Sequence, residues 1–167
     1  MKLNKEDVKH VKDFKESWKE APYPPVFVTC DAVVYHSDHV LLIERGGVFG
    51  KGKYALPGGF IEEKEDLYDA TVRELYEETN LEIASESLRI FIEEQQVFAN
   101  PDRDPRGRFI TFASLFNITP ASSTLPEIQA GSDAAEVLWL SCEDLTKHKD
   151  DFFLDHFHIV TSLISHM

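Results

Sequence analysis

The stretch GFIEEKEDLYDATVRELYEETNL, residues 59–81, decides the fold of this chain. Each residue of an α-helix advances 100°, and this spacing predicts a helix from Asp66 to about Glu78. The apolar side of that helix carries Leu67, Ala70, Thr71 and Leu75. By the same arithmetic, Glu74 and Glu78 fall on the apolar side and Glu77 falls beside them. Carboxylates placed there repel each other and oppose folding.

The acidic helix admits two interpretations. Its glutamates could form a solvated face, or ion pairs such as Arg73 with Glu77. The alternative is a metal site, because the glutamates replace apolar residues on the buried side while Val72 and Tyr76 are expected on the other side. Mg²⁺ prefers one or two carboxylates and completes its shell with water and phosphate oxygens. The pattern therefore favours a Mg²⁺ site, with Mn²⁺ as a substitute.

The same stretch resembles the signature of the Nudix hydrolases. Gly59, Glu65 and the run RELYEETNL, residues 73–81, match that signature except at Asn80, where the family has glycine. Asparagine tolerates the left-handed conformation that ends many helices, so this departure affects stability more than chemistry. We therefore expect the substitution Asn80→Gly to be mildly stabilising.

The resemblance implies a fold and a set of roles. The fold would be of the α/β class, a Nudix-type α/β/α sandwich with a mixed β-sheet. Glu74, Glu77 and Glu78 would be the metal ligands, with the Gly59 carbonyl as an additional one. Arg73 would hold a glutamate in position, and Glu65 would brace the start of the helix. The metal would polarise a diphosphate and activate the attacking water.

The rest of the chain predicts an N-terminal helix followed by the Nudix domain. Apolar residues recur at spacings of three to five from Leu3 to Trp18, so we assign residues 1–20 to an amphipathic helix. The prolines after Ala21 end it, and residues 21–167 form the Nudix domain. Strands are predicted at Val26–Tyr35, Val40–Glu44, Ile90–Phe98, Phe109–Ile118 and Glu136–Leu140. A short helix should follow Ser141, and a last helix should cover Phe152–Ile164.

Two further stretches, residues 23–29 and 97–108, resemble the ADP-ribose pyrophosphatase domains that accompany NMN adenylyltransferase in bifunctional proteins. The resemblance implies hydrolysis of ADP-ribose to AMP and ribose 5-phosphate. Arg103, Arg106 and Arg108 would bind phosphate and ribose oxygens, since guanidinium groups suit them. Alternatively, these arginines only offset Asp102 and Asp104.

Other roles are less determined by the pattern. Phe27 could stack on adenine, although an aromatic residue beside a strand is more often part of a core. Glu127, in a predicted loop, is the candidate general base, whereas Glu136 could be another metal ligand or a structural acid. His156 and His158 are interpreted as packing residues. Two other functions stay open. One is hydrolysis of another nucleotide, either a nucleoside triphosphate or a dinucleoside polyphosphate. The other is non-catalytic ADP-ribose sensing, which is disfavoured by the presence of all three glutamates and by the chain end at Met167.

The bulk composition narrows the partners. A formal net charge of -13 disfavours nucleic acid, whose binding requires lysines and arginines to neutralise phosphates. No apolar stretch approaches the length of a membrane span, so a membrane partner is not expected. Two widely spaced cysteines without metal-ligand spacing fit a reducing, cytoplasmic setting. The apolar face of the N-terminal helix could support a homodimer or pack on its own domain.

Overall fold

A mixed β-sheet forms the centre of the fold in the computed structural model, which describes residues 1–131 and 134–167. Its strands are β1 (Val26–His36), β2 (His39–Arg45), β3 (Tyr54–Ala55), β4 (Gly58–Phe60), β5 (Ile92–Phe98), β6 (Arg108–Asn117) and β7 (Ala134–Ser141). The order along the sheet is β3-β2-β1-β6-β5, with β4 paired to β1 and β7 paired to β2.

Strand β1 organises the sheet. It pairs in parallel with β6 from Val26 opposite Arg108 to Tyr35 opposite Asn117, and it pairs antiparallel with β2 and β4. The run from Cys30 to Val34 is fully buried, as expected of a strand that is covered on both faces. This mixture of parallel and antiparallel pairs confirms the predicted mixed sheet of the α/β class.

The helices cover both faces of the sheet. They are α1 (Lys5–Ser17), α2 (Leu67–Thr79), α3 (Ser85–Leu88), α4 (Cys142–Leu145) and α5 (His156–Leu163). Helix α2 packs with Ala32 and Val34 of β1, whereas α5 packs with Val33 between them, because successive strand residues face opposite sides. Within the part of the chain that is described, no helix is long and apolar enough to cross a membrane.

Helix α1 begins with a capping box and packs on its own domain. The Asn4 side chain accepts hydrogen bonds from amides of the first turn, and the Asp7 carboxylate accepts one from the Asn4 amide. The Phe14 ring lies 5.2 Å from that of Phe27 and 6.1 Å from that of Phe109, between ring centroids. Of the two alternatives for its apolar face, packing within the chain is the one observed.

Two predicted features were wrong. The last helix begins at His156 instead of Phe152, because the Phe153 amide donates a hydrogen bond to the Tyr54 carbonyl oxygen and holds this segment extended. Val72 and Tyr76 do not face away from the core. The segment after α2, which includes Leu88, packs over its second side, so the buried part of the helix is wider than one stripe. The short elements β3, β4 and α3 were not predicted.

Candidate active site

The glutamate helix α2 has well-defined ends. Asp66 caps its start by accepting a hydrogen bond from the Asp69 amide at 2.8 Å. Asn80 ends it in the left-handed conformation, with φ 44° and ψ 38°, as predicted. The Asn80 side chain also donates a hydrogen bond of 3.0 Å to the Gln129 carbonyl oxygen. The end of the helix is thereby tied to the loop before β7.

Arg73 links the helix to the segment before it. Its Nε and Nη2 atoms donate to the two carboxylate oxygens of Glu65 at 2.8 and 3.0 Å. The Nη1 atom donates to Glu74 Oε1 at 2.7 Å, and Nη2 also donates to the Phe60 carbonyl oxygen at 3.0 Å. Hydrogen bonding to Arg73 lowers the pKa of Glu65. Arg73 therefore fixes both the helix start and the direction of Glu74.

Glu78 is the buried acid of the site. Glu78 is 7% exposed, and its Oε2 atom accepts a hydrogen bond of 3.0 Å from the Gly58 amide. Burial raises the pKa of Glu78 to about 8 against the opposing effect of that hydrogen bond, and the charge of Glu74 raises it further. Burial also raises the pKa of Glu74. Two acids with raised pKa values in one place are typical of a functional site.

The backbone of strand β4 lies next to Glu74 and Glu78. The pairing of Gly59 with Cys30 places its backbone so close to Glu74 that a Cβ atom on residue 59 would lie 2.5 Å from Glu74 Oε1. Only glycine fits there without displacing the carboxylate. Two carboxylates and a nearby carbonyl oxygen form a set of hard oxygen donors, which is what Mg²⁺ or Mn²⁺ requires. The residues present therefore fit a divalent cation.

Glu77 lies apart from this pair. Its side chain is 56% exposed, and Oε2 is 3.4 Å from Arg73 Nη1. Across residues 1–131 and 134–167, no three histidine, cysteine or acidic side chains already converge as a complete set of metal ligands. Glu74 and Glu78 lie near the backbone of strand β4, whereas the Glu77 side chain is exposed.

A cavity of about 760 Å³ opens over these residues. Its wall includes Glu74 and Glu78, and also Arg103 and Arg106 from the β5–β6 connection. Arg103 donates to both carboxylate oxygens of Asp155 at 2.9 Å each. The cavity thus has both acidic and basic groups in its wall.

The predicted arginines differ in their partners. Arg106 forms a salt bridge with Asp104 of 2.7 Å, so the alternative that the arginines offset neighbouring acids holds for this pair. Arg108 turns its Nη1 atom to the carbonyl oxygens of Ala99 and Phe109, at 2.9 and 3.3 Å. Arg108 is not among the described residues that line the cavity. Its position joins β6 to the preceding loop.

Phe27 and Glu127 also lie outside the cavity wall as the structure describes it. Phe27 packs in an aromatic cluster, with its ring centroid 4.9 Å from that of Phe109, which is the core position considered in the sequence. Phe60 belongs to the same cluster, is 43% exposed and lines the cavity. Glu127 is exposed on the loop before β7.

Among the described cavity-wall residues that the sequence did not identify as site residues are Asp31, Arg45 and His156. Asp31 accepts a hydrogen bond from the Thr111 hydroxyl, and burial raises its pKa to about 6. An acid within the apolar run of β1 was the available signal. The His156 Nδ1 atom accepts a hydrogen bond of 3.0 Å from the Leu56 amide, so His156 also serves packing, as predicted.

Comparisons with known proteins agree with this geometry. A bifunctional NMN adenylyltransferase/ADP-ribose pyrophosphatase from Francisella tularensis, solved with AMP and a Mn ion, superimposes with a TM-score of 0.90 at 40% sequence identity. That match covers 95% of this chain and 47% of the Francisella chain. An ADP-ribose pyrophosphatase of Methanocaldococcus jannaschii is 36% identical over 120 residues, which are 72% of this chain and 64% of the relative. The chain therefore spans about half to two thirds of these relatives.

A third relative is covered more completely. The phosphatase NudJ of Shigella boydii is 34% identical over 124 residues, which are 74% of this chain and 72% of the relative. The family model described as NUDIX domain matches residues 26–162, a range that contains the glutamate helix and the whole sheet. The chain therefore belongs to the Nudix family.

Proposed function

We propose that this protein hydrolyses the diphosphate bond of ADP-ribose and releases AMP and ribose 5-phosphate. The observation that carries the proposal is one cavity that is lined both by the acids Glu74 and Glu78 and by Arg103 and Arg106. Its volume of about 760 Å³ lies within the range of roughly 300–1,000 Å³ that is common for small-molecule sites. The Methanocaldococcus and Francisella relatives, both named for this activity, support the choice of substrate.

Glu74, Glu78 and the Gly59 carbonyl oxygen would hold the metal, and Glu77 would join them from its exposed position. When bound there, a divalent cation polarises the diphosphate and lowers the pKa of an attacking water. Arg73 keeps Glu74 directed at the site through its 2.7 Å hydrogen bond. Arg103 and Arg106 lie where guanidinium groups can bind phosphate or ribose oxygens.

We infer that Mg²⁺ is the usual metal and Mn²⁺ a substitute, since the donors are hard oxygens. The Mn ion in the Francisella structure supports a divalent cation in general. Two free cysteines, Cys30 and Cys142, support a cytoplasmic setting. A homodimer remains a proposal for which the packed face of α1 gives no support.

Glu127 is the proposed general base. Its loop is tied to the end of α2, because the Gln129 amide donates to the Thr79 carbonyl oxygen at 2.8 Å and the Gly131 amide to that of Glu78 at 2.9 Å. The side chain itself is exposed, so the role requires a movement of the loop towards the substrate. Phe27 and Arg108 lie in the paired strands β1 and β6 and are not among the described residues of the cavity wall, so the geometry does not support a role for them in substrate binding, and Phe60 is the better-placed aromatic residue.

The test is to incubate the purified protein with ADP-ribose, with and without Mg²⁺, and to follow AMP by chromatography. Metal-dependent release of AMP supports the proposal. A nucleoside triphosphate and a dinucleoside polyphosphate serve as competing substrates, and faster turnover of either one overturns the choice of ADP-ribose. Tight ADP-ribose binding in Mg²⁺ without AMP release would indicate a sensor.

A further inference from the structure

Helix α1 lies outside the matched range 26–162, yet it contacts the turn after β2, whose first residues Gly46 and Gly47 line the cavity. The contact is made by Asp7, an acid that is 2% exposed. Its Oδ1 atom accepts a hydrogen bond of 2.9 Å from the Gly50 amide, and its Oδ2 atom accepts one of 2.9 Å from the Asn4 amide. A buried carboxylate that bonds to a residue 43 positions away does more than cap its own helix.

Gly50 belongs to the turn that joins β2 to β3, residues 46–53. Its φ of +73° and the 2.4 Å that would separate a Cβ atom from the Phe153 ring leave room only for glycine. The turn is closed by the Gly52 amide, which donates to the Arg45 carbonyl oxygen at 2.9 Å. Helix α1 also covers this turn through His10, whose ring stacks on that of Phe49 at 5.6 Å.

The turn controls the position of Arg45. The Arg45 Nε atom donates to the Phe49 carbonyl oxygen at 3.1 Å, next to the residue that Asp7 holds. The Arg45 guanidinium carbon lies 4.2 Å from the centroid of the Phe153 ring, so the side chain is fixed from two sides. A continuous path therefore runs from Asp7 through Gly50 and Phe49 to Arg45.

Arg45 differs from the other three arginines of the cavity wall. Arg73, Arg103 and Arg106 are each paired with a carboxylate. Within the described part of the chain, Arg45 forms no salt bridge, and its side chain is engaged in hydrogen bonding through Nε alone. Both Nη atoms are thus available to a ligand in the cavity. Burial and the charge of Arg106 lower the pKa of Arg45, and a bound anion would offset both effects.

We propose that Arg45 binds the diphosphate of the substrate and that Asp7 of helix α1 is a positioning residue that holds Arg45 in place through the β2–β3 turn. The choice of a diphosphate as ligand rests on the proposed function. The connection between Asp7 and the turn is independent of the substrate.

The variant Asp7→Ala removes the bond to Gly50, and Asn4→Ala is its matched control. Both substitutions break the capping box of α1, but only the first one releases the turn. For ADP-ribose we expect Asp7→Ala and Arg45→Ala each to raise KM about tenfold, since a hydrogen bond involving a charged group is at stake, with kcat changed less than about twofold. Asn4→Ala should leave KM unchanged.

Two further readouts separate positioning from general stability. In Asp7→Ala, hydrogen exchange should become faster across residues 46–53, and in Asn4→Ala it should not. In the double variant Asp7→Ala/Arg45→Ala, KM should equal that of Arg45→Ala, because Asp7 acts through Arg45. Equal exchange and equal KM in Asp7→Ala and Asn4→Ala would overturn the proposal, as would KM effects that multiply in the double variant.

The experiment also distinguishes this inference from the proposed function. If the wild-type protein does not hydrolyse ADP-ribose, the proposed function fails, and the affinity for inorganic diphosphate, measured by calorimetry on the same variants, replaces KM. Weaker diphosphate binding in Asp7→Ala and Arg45→Ala, but not in Asn4→Ala, supports the inference. Wild-type affinity in Asp7→Ala overturns it.

Discussion

Burial favours the uncharged form of single titratable residues in the cavity. Burial raises the pKa of Glu78 to about 8 and that of Asp31 to about 6, and it lowers the pKa of His156 well below 6.5. Such groups cost stability in the absence of a ligand, and groups that perform chemistry are often kept at this cost. For Glu78 the consequence concerns activity, and for His156 it concerns stability in acid.

The substitution Glu78→Gln should preserve the fold and abolish most activity. Loss of residues around a metal ligand typically costs about 10–100-fold, so loss of a ligand itself should lower kcat by more than about 100-fold. Glu82→Gln is the control, because Glu82 is exposed and is not among the described residues that line the cavity. Steady-state kinetics at saturating Mg²⁺ measure both variants. An unchanged kcat in Glu78→Gln would refute the ligand assignment.

His156 should make the protein sensitive to acid. Because its folded-state pKa is lowered, the stability it contributes is present above the unfolded pKa of about 6.5 and is lost as pH falls below it. The free energy of unfolding should therefore decrease between about pH 7 and pH 5, by up to about 1.4 kcal/mol per pH unit from this group.

The control for His156 is the variant His156→Asn, whose side-chain oxygen can still accept the hydrogen bond from the Leu56 amide. Urea unfolding at several pH values should give a shallower loss of stability towards acid in this variant than in the wild type. Comparing the two slopes removes the contributions of Glu78 and Asp31. Identical slopes would show that His156 is not the source.

At the scale of elements, helix α2 and strand β4 build the site together. The helix supplies Glu74 and Glu78, and the strand supplies the Gly58 amide and the Gly59 backbone. The parallel pairing of β1 with β6 fixes the sheet on which both elements rest. An element that ends at the wrong residue would move a carboxylate away from the cavity, so the C-terminal end of α2 is a sensitive place.

Asn80 shows how the structure changes an expectation. Glycine would relieve a left-handed strain of at most about 1–2 kcal/mol, but it would lose the 3.0 Å hydrogen bond to Gln129, which is worth about 0.5–1.5 kcal/mol. We now expect Asn80→Gly to change the free energy of unfolding by less than about 1 kcal/mol. Asn80→Ala loses the hydrogen bond to Gln129 and also the tolerance of the left-handed conformation. Thermal melting should therefore show a destabilisation of about 1 kcal/mol or more. Equal melting temperatures for the two variants would contradict this explanation.

The whole molecule carries a net charge of -13, and its cavity holds buried acids. Among the described residues, no salt bridge joins Glu78 to a basic side chain, although Glu74 has one with Arg73. A divalent cation that binds only the folded state therefore stabilises the entire domain by mass action. This effect links the local site to global unfolding.

Mg²⁺ or Mn²⁺ should raise the melting temperature of the wild-type protein. At a concentration 100 times Kd the gain is about 2.7 kcal/mol, which corresponds to about 5–10 °C for a domain of this size. Glu78→Gln should show little of this increase and should be at least as stable as the wild type without metal, because its amide is uncharged. Calorimetry with metal titration and a chelator control measures both effects, and an equal metal response in the two proteins would argue against a site at Glu78.

The sequence by itself determined the family, the glutamate helix and most strands, because these depend on local patterns: the spacing of residues 59–81, the apolar run of β1 and the left-handed tolerance of Asn80. Only the tertiary structure decided which side chains meet. Arg108 and Glu127 lie away from the cavity wall, whereas Arg45 lies in it, since burial and hydrogen bonds to distant backbone fix side-chain direction. The bond from Asp7 to Gly50, 43 residues apart, has no local pattern that could have predicted it.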